Sequence, residues 1–259
     1  EEIVIADGGS IDKTIEIAKK FTAKIILTDN PPIFHITKQK ALESCQGQWI
    51  LQLDADEIVT PELAEEIKQI IRMNDEQINN RLINKMKKDL FLRHQYIIEK
   101  RDGQFGTKEG EIVAFFVPRK TYFLNRLLIY GGAYPDGVIR LIKKDKAFFP
   151  SKTVHEQIQI SGRVGWLYHD LIHNPFPNLH EYLVKLNRYT DLRATEMGNL
   201  QKNNTTFIKQ SILIPLNKFL LLYVRHKGFQ DGLQGFIFAA LSSWQEAIAY
   251  WKYYEKNIK

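Results

Sequence analysis

At 259 residues, 44% of them hydrophobic and 25% charged, the chain can bury a substantial core and is too apolar to remain a disordered polymer. A single cysteine, Cys45, excludes an intramolecular disulfide framework and a cysteine-rich zinc site, and it fits a reducing compartment. The net charge of +6 is uneven, with +5 of it on residues 201–259. A basic, aromatic-rich tail on a nearly neutral body suits an anionic surface, membrane or nucleic acid, or else a solvated helical face.

"EIVIAD" reads as a short buried strand and "GGSIDKT" as a turn; no signal-peptide pattern is present. "TIEIAKKF" is helical and "AKIILT" a second strand, followed by a helix over 36–45 and a third strand over 49–53. Thr60 and Pro61 start the next helix as cap and first-turn residue, with Leu63, Ile67, Ile70 and Ile71 as its apolar stripe. This alternation predicts a parallel sheet in an α/β domain. Residues 75–108, rich in Lys, Arg, Asn and Gln, break the rhythm and read as an inserted helical excursion ending in a loop. "EIVAFFVP", "GVIRLIKK", "TVHEQIQI" and "RVGWLYH" are strand-like, which extends the α/β part over 1–175. Residues 176–259 read as all-helical, beginning with "PNLHEYLVKLNRYTDLRATEM" and continuing near 205–225 and 230–256. The run "SILIPLNKFLLLYV" (211–224) is short and broken by Pro215, Asn217 and Lys218, so it is not expected to span a bilayer.

The third strand runs straight into Asp54, Asp56 and Glu57, whose mutual repulsion makes joint ionisation costly unless a cation shares the site. Asp54 and Asp56 lie two apart, on one face of an extended backbone, where a parallel sheet places its ligands. Hard carboxylate oxygens suit Mg²⁺ or Mn²⁺, which in turn bind a diphosphate. The plain alternative is a pair of surface acids ahead of a helix. Asp7 ends the first strand before Gly8 and Gly9, where a ligand can approach the backbone and a carboxylate can accept from a base or ribose. Without a ligand, the same residues make an ordinary turn.

Two stretches, "EIVIADGGSIDKTIEIAKKFTAKII" and "KALESCQGQWILQLDADEIVTPEL", resemble the nucleotide-sugar-binding half of family 2 glycosyltransferases, which have the GT-A fold. The later "YGGAYPDGVIRLIKK", "TVHEQIQISGRVGWLYHDLIH" and "LHEYLVKLNRYTDLRA" are similar to one bacterial branch, the enzymes resembling lipopolysaccharide-core β-glucosyltransferases. The resemblance implies a Rossmann-like GT-A domain that lacks the family's usual first strand and helix, with an α-helical C-terminal tail. It implies an inverting hexosyl transfer from a nucleotide sugar, a UDP-sugar in this branch, to a glycan or lipid-linked acceptor of the bacterial envelope.

Residue by residue, the resemblance assigns Asp7 and Gly8 to the donor nucleoside, and the planar fork of Arg140 suits the diphosphate oxygens unless it is a solvated sheet-edge charge. Asp54 and Asp56 become the D-x-D pair, Asp56 the more direct metal ligand, with His173 either completing the metal or diphosphate site or serving as a hydrogen-bonded structural residue. Inversion also needs a general base, for which Asp136 and Glu156 stand out; Asp136 is preferred because Gly131 and Gly132 would let its loop close over substrate. Lys143 is a diphosphate contact or a solvated sheet-edge charge, and Asn187, Arg188 and Tyr189 serve acceptor contact or helix packing. The tail aromatics among basic residues suit a helix lying on anionic lipid at the cytoplasmic face of the cell membrane, or self-association; no nucleic acid partner is expected.

Two other readings compete. A haloacid-dehalogenase-like phosphatase also starts with a strand and D-x-D, but it wants Thr or Val where Ile58 stands. A non-catalytic membrane- or nucleic-acid-binding module on a degenerate GT-A fold would explain the basic tail without chemistry.

Overall fold

A computed structural model describes residues 2–29, 31, 34–81, 84–150, 157–198, 200 and 203–257. In chain order the first elements are β1 (Val4–Asp7), α1 (Thr14–Lys20), β2 (Lys24–Leu27), α2 (Phe34–Ser44), β3 (Trp49–Leu51) and β4 (Glu57–Val59). Next come α3 (Pro61–Ile70), α4 (Asp75–Asn79), α5 (Lys85–Asp102), β5 (Ile112–Val117), β6 (Arg119–Phe123) and β7 (Arg126–Leu127). Then follow β8 (Val138–Lys143), β9 (Ala147–Phe148), β10 (Gln159–Ile160), β11 (Arg163–Trp166), β12 (Leu171–Phe176) and α6 (Leu179–Glu196). Long helices over Asn204–Arg225 and Gly232–Lys256 complete the described chain.

The chain forms two compact units: residues 1–55, 59–118 and 137–170 make the first, and residues 56–58, 119–136 and 171–259 the second. The boundary differs from the sequence-based division at 175. Residues 119–136 and 171–175 join the C-terminal helices because β6, β7 and β12 form their own sheet in that unit.

In the first unit, β1 and β2 pair in parallel, and a four-stranded sheet runs in the order β11-β5-β8-β3. This corrects the expectation of a purely parallel sheet. β3 pairs antiparallel with β8, which is antiparallel to β5 in turn, while β11 lies parallel to β5. β5 is buried at every position, the pattern of a strand covered on both faces. The helix at Thr60 starts as the sequence predicts: its hydroxyl accepts from Leu63 N at 3.2 Å and donates to Asp170 O at 3.0 Å. The insertion is helical, and it builds core: Phe91 of α5 is fully buried and stacks on Trp166 with ring centroids 4.7 Å apart. Of "TVHEQIQI", the described strand is only Gln159–Ile160; Glu156 lies outside the described residues.

The second unit holds the sheet β4-β12-β6-β7 against helices. Its core gathers Phe123, Leu128, Tyr182 and Leu186, onto which Ile237, Phe238 and Leu241 of the last helix pack. The Asn204–Arg225 helix is 22 residues long, so by length and composition it could cross a membrane. That departs from the expectation drawn from 211–224. Pro215 does not stop the helix, because the wider π-type turn at Lys209–Leu213 just before it relieves the clash with the preceding carbonyls. Little of this helix is buried in the chain, and Ile208, Ile212, Leu216, Leu220 and Val224 form an exposed stripe at four-residue spacing.

Candidate functional site

Each unit carries its own set of polar groups, and each is described by itself. In the first, Asp7 closes β1. Its Oδ2 accepts from the amides of Gly9 and Ser10, both at 2.9 Å, and its Oδ1 from the Ser10 hydroxyl at 2.5 Å. The Ser10 hydroxyl, then its amide and that of Gly9, hold the carboxyl below the usual carboxylate range against the cost of burial. β2 supports the same corner, since Thr28 N donates to Asp7 O at 2.8 Å. Gly8 is an exposed bend, and Gly9 has φ +93°, a conformation that glycine adopts without strain. The strand exit is therefore a tight, pre-formed turn with its carboxylate folded onto its own backbone.

Asp54 lies three residues beyond β3. Lys38 Nζ sits 2.6 Å from Oδ1, Arg140 Nη2 2.5 Å from Oδ2, and Gln52 Nε2 donates to Oδ1 at 3.2 Å. Gln52 also accepts from Arg140 Nη1 at 2.7 Å, so a planar guanidinium fork is shared between an amide and a carboxylate. Burial alone would raise the Asp54 pKa, but Arg140 and then Lys38 outweigh it and hold the value at about 2. Arg140 reaches this place because the antiparallel pairing of β3 with β8 sets Leu141 opposite Leu51. Lys143, two residues on, pairs with Glu111 and lies 5.2 Å from the centroid of the Trp49 ring, which is a sheet-edge role.

Asp56 belongs to the second unit. His173 Nε2 lies 3.8 Å from Oδ1, Lys185 Nζ 3.6 Å from Oδ2, and the backbone of Asp56 accepts from Asn174 N at 2.9 Å. His173 stands on β12 opposite Thr121 of β6, whose hydroxyl is 3.2 Å from Nδ1. Burial and the Arg119 charge lower the His173 pKa further than Asp56, Asp136 and Glu57 raise it, which favours the neutral imidazole that a metal ligand must be. Among the described residues there is no cluster of three or more His, Cys, Asp or Glu side chains that could hold a metal. Asp56 with His173 is a pair, and Asp54 is engaged by cations.

Arg119 joins two further acids of this unit, Glu57 and Asp136. Nη1 is 3.0 Å from Glu57 Oε1 and Nη2 2.8 Å from Asp136 Oδ2. Burial would lower the Arg119 pKa, but Asp136 and Glu57 raise it above its ordinary value. Glu57 has a side chain with no exposure at all, whereas 38% of the Asp136 side chain is exposed. Asp136 has φ +31° at the end of its loop. In that loop Gly131 N donates to His226 O at 2.9 Å. Asn187 accepts from Lys252 Nζ through its backbone and its side chain, at 2.8 and 2.7 Å, so it ties helices together.

Of the residues singled out from the sequence, Asp7, Asp54, Asp56, Asp136, Arg140 and His173 each have a defined partner in the structure. Sequence reasoning missed Lys38, Gln52, Arg119 and Thr121, and gave Glu57 no role. Only Arg119 had a signal: an arginine directly after the apolar "IVAFFVP" run needs a buried acid to face.

Comparison with known proteins identifies the family. The family described as "Glycosyl transferase family 2" matches residues 1–144. The lipopolysaccharide core biosynthesis glycosyltransferase LpsC of Rhizobium meliloti is 26% identical over 272 aligned positions, covering 99% of this chain and 83% of that protein. An uncharacterized glycosyltransferase of Rickettsia conorii is 22% identical over 100% of this chain and 82% of its own length. The crystal structure of S. aureus TarS 1-349 aligns over 99% of this chain and 82% of its own, with 15% identity and a TM-score of 0.35. Mixed α/β sheets with a helical C-terminal region, under the family match, form a GT-A-like fold.

Proposed function

Because the chain belongs to glycosyl transferase family 2, we propose that it transfers a hexose, with inversion, from a UDP-sugar to a glycan or lipid-linked glycan of the bacterial envelope. The observation that supports this reading lies in the first unit, at Asp54. Asp54 is clamped by Lys38 and Arg140, cations that a diphosphate can share. The name of LpsC, a lipopolysaccharide core enzyme, supports an envelope glycolipid as acceptor.

Asp7 and Gly8 receive the donor nucleoside at the β1 exit, and Arg140 its diphosphate. Asp56 and His173 would hold Mg²⁺ or Mn²⁺, ions that need only one or two protein ligands when phosphate oxygens and water fill the remaining positions. Bound there, the ion would supply Lewis-acid stabilisation of the departing diphosphate. Asp136, its carboxylate oriented by Arg119, takes the proton of the acceptor hydroxyl as that oxygen bonds to the anomeric carbon. The bond from that carbon to the diphosphate oxygen breaks on the opposite face.

Isothermal titration of UDP and UDP-glucose, with and without Mn²⁺, tests the donor half. The intact chain is expected to bind with metal, and Asp56→Ala to lose at least about tenfold in metal-dependent affinity, as loss of a ligand's support does elsewhere. Unchanged metal dependence in the variant would remove Asp56 from the site. No binding to the intact chain would favour a non-catalytic module on the same fold.

The same reading places the protein at the cytoplasmic face of the cell membrane. Its support is the exposed stripe of Ile208, Ile212, Leu216, Leu220 and Val224, with Lys209 near one end and Arg225 and Lys227 at the other. The protein is expected to float with vesicles containing phosphatidylglycerol, and less with pure phosphatidylcholine. A charge-reversed Lys209→Glu/Arg225→Glu variant should lose the difference. Failure to float together with a concentration-dependent dimer would show that a second copy covers the stripe.

A further inference from the structure

The loop that carries Asp136 runs from Leu128, after β7, to Gly137, before β8, and it is fastened to the turn between the two long C-terminal helices. Three successive loop amides are taken there. Ile129 N donates to Asp231 Oδ1 at 3.3 Å, Tyr130 N to Asp231 Oδ2 at 2.8 Å, and Gly131 N to His226 O at 2.9 Å. At the far end, Arg119 N donates to Pro135 O at 3.0 Å and Arg119 Nη2 to Asp136 at 2.8 Å. The loop is thus held on both sides of the segment that ends in Asp136.

Asp231 sits where an aspartate ordinarily serves its own helix. It immediately precedes Gly232–Lys256, yet its side chain makes no capping bond. The carboxylate instead spends both oxygens on the loop, with the residue only 4% exposed. Burying a carboxylate is costly unless hydrogen bonds compensate, and bonds to an ionised acceptor are the stronger kind. The turn is also packed too tightly to drift. A Cβ on Gly228 would meet Leu222 O at 2.8 Å, and one on Gly235 would meet Gly228 O at 2.1 Å.

We propose that Asp231 is a positioning residue for the transfer reaction, fixing the 129–136 loop and through it the Asp136 carboxylate. It touches no reacting atom. This role rests on the reading of Asp136 as the general base, and a base misplaced by about 1 Å costs on the order of 10²-fold in rate.

The test measures release of UDP from UDP-glucose with Mn²⁺ for Asp231→Ala, Asp231→Asn, Asp136→Ala and the double variant Asp231→Ala/Asp136→Ala. Asp231→Ala is expected to lower kcat by about 10²-fold with KM for the donor within about twofold. Asp231→Asn keeps one acceptor and should fall between it and the wild type, which covers the case in which the alanine variant folds poorly. The double variant should be no slower than Asp136→Ala, because the two residues act as one unit. Hydrogen exchange at the amides of Ile129, Tyr130 and Gly131 should accelerate in Asp231→Ala, while exchange in β12 and α6 stays unchanged. Near wild-type activity in Asp136→Ala overturns the base reading, and the role of Asp231 with it. A strong loss in Asp136→Ala that multiplies with the Asp231 loss in the double variant overturns the positioning role alone. So does a loss in Asp231→Asn matched by equal weakening of donor binding and faster exchange throughout the unit, which is the signature of a purely structural residue.

Discussion

Replacing Arg119 with methionine is expected to destabilise the second unit by about 3–5 kcal/mol, measured as a fall in the urea midpoint with an unchanged denaturant slope. The reason is the acid it leaves behind. Glu57 has no exposed side-chain surface, and the guanidinium 3.0 Å away supports its charge in that position. Removing one partner of a buried pair leaves an uncompensated charge, whereas neutralising both costs far less. The double variant Arg119→Met/Glu57→Gln should therefore recover most of the loss. Asp136 contributes little to this balance, since water reaches its side chain. An Arg119→Met protein within about 1 kcal/mol of wild type, on the scale of an exposed pair, would mean that Glu57 is not held as a charge by Arg119.

Asp136→Asn should lower kcat by about 10²- to 10⁴-fold while leaving UDP binding intact. The amide keeps the size of the side chain and can still accept from Arg119 Nη2, so geometry is preserved and only proton acceptance is lost. Donor affinity separates this outcome from damage to the nucleotide site, which depends on other residues. Glu156→Gln, the second candidate base, is expected to stay within a few-fold of wild type. Reversal of the two results would move the base to Glu156, and similar mild effects in both would remove a side-chain base at either position.

The contrast between these variants follows from burial. Arg119 lies between one acid without exposure and one that meets solvent, so the same cation has two consequences. Towards Glu57 it compensates a buried charge, and towards Asp136 it orients a side chain that remains accessible. A single residue therefore links the stability of the β4-β12-β6-β7 sheet to the placement of the proposed base.

Local chemistry fixed much of this protein in advance. The alternation of β1, α1, β2, α2 and β3 follows from side-chain periodicity, and the helix start at Thr60–Pro61 from capping and a proline whose missing N–H costs nothing there. The D-x-D acids were visible because three carboxylates after an apolar strand violate ordinary burial economy, and helices within the 75–108 excursion and in the C-terminal region followed from their spacing. Periodicity does not name a partner, however. It could not say that β3 pairs antiparallel with β8, nearly ninety residues later, and that pairing is what brings Arg140 to Asp54. Nor could it show Lys38 on the same carboxylate, or Thr121 opposite His173. Asp231 is the clearest case: only the fold turns its carboxylate, at the start of the last helix, towards the amides of Ile129 and Tyr130. Covalent neighbours determine local backbone preference, whereas a hydrogen bond across about a hundred residues depends on which surfaces meet, and that is set by packing of the whole unit.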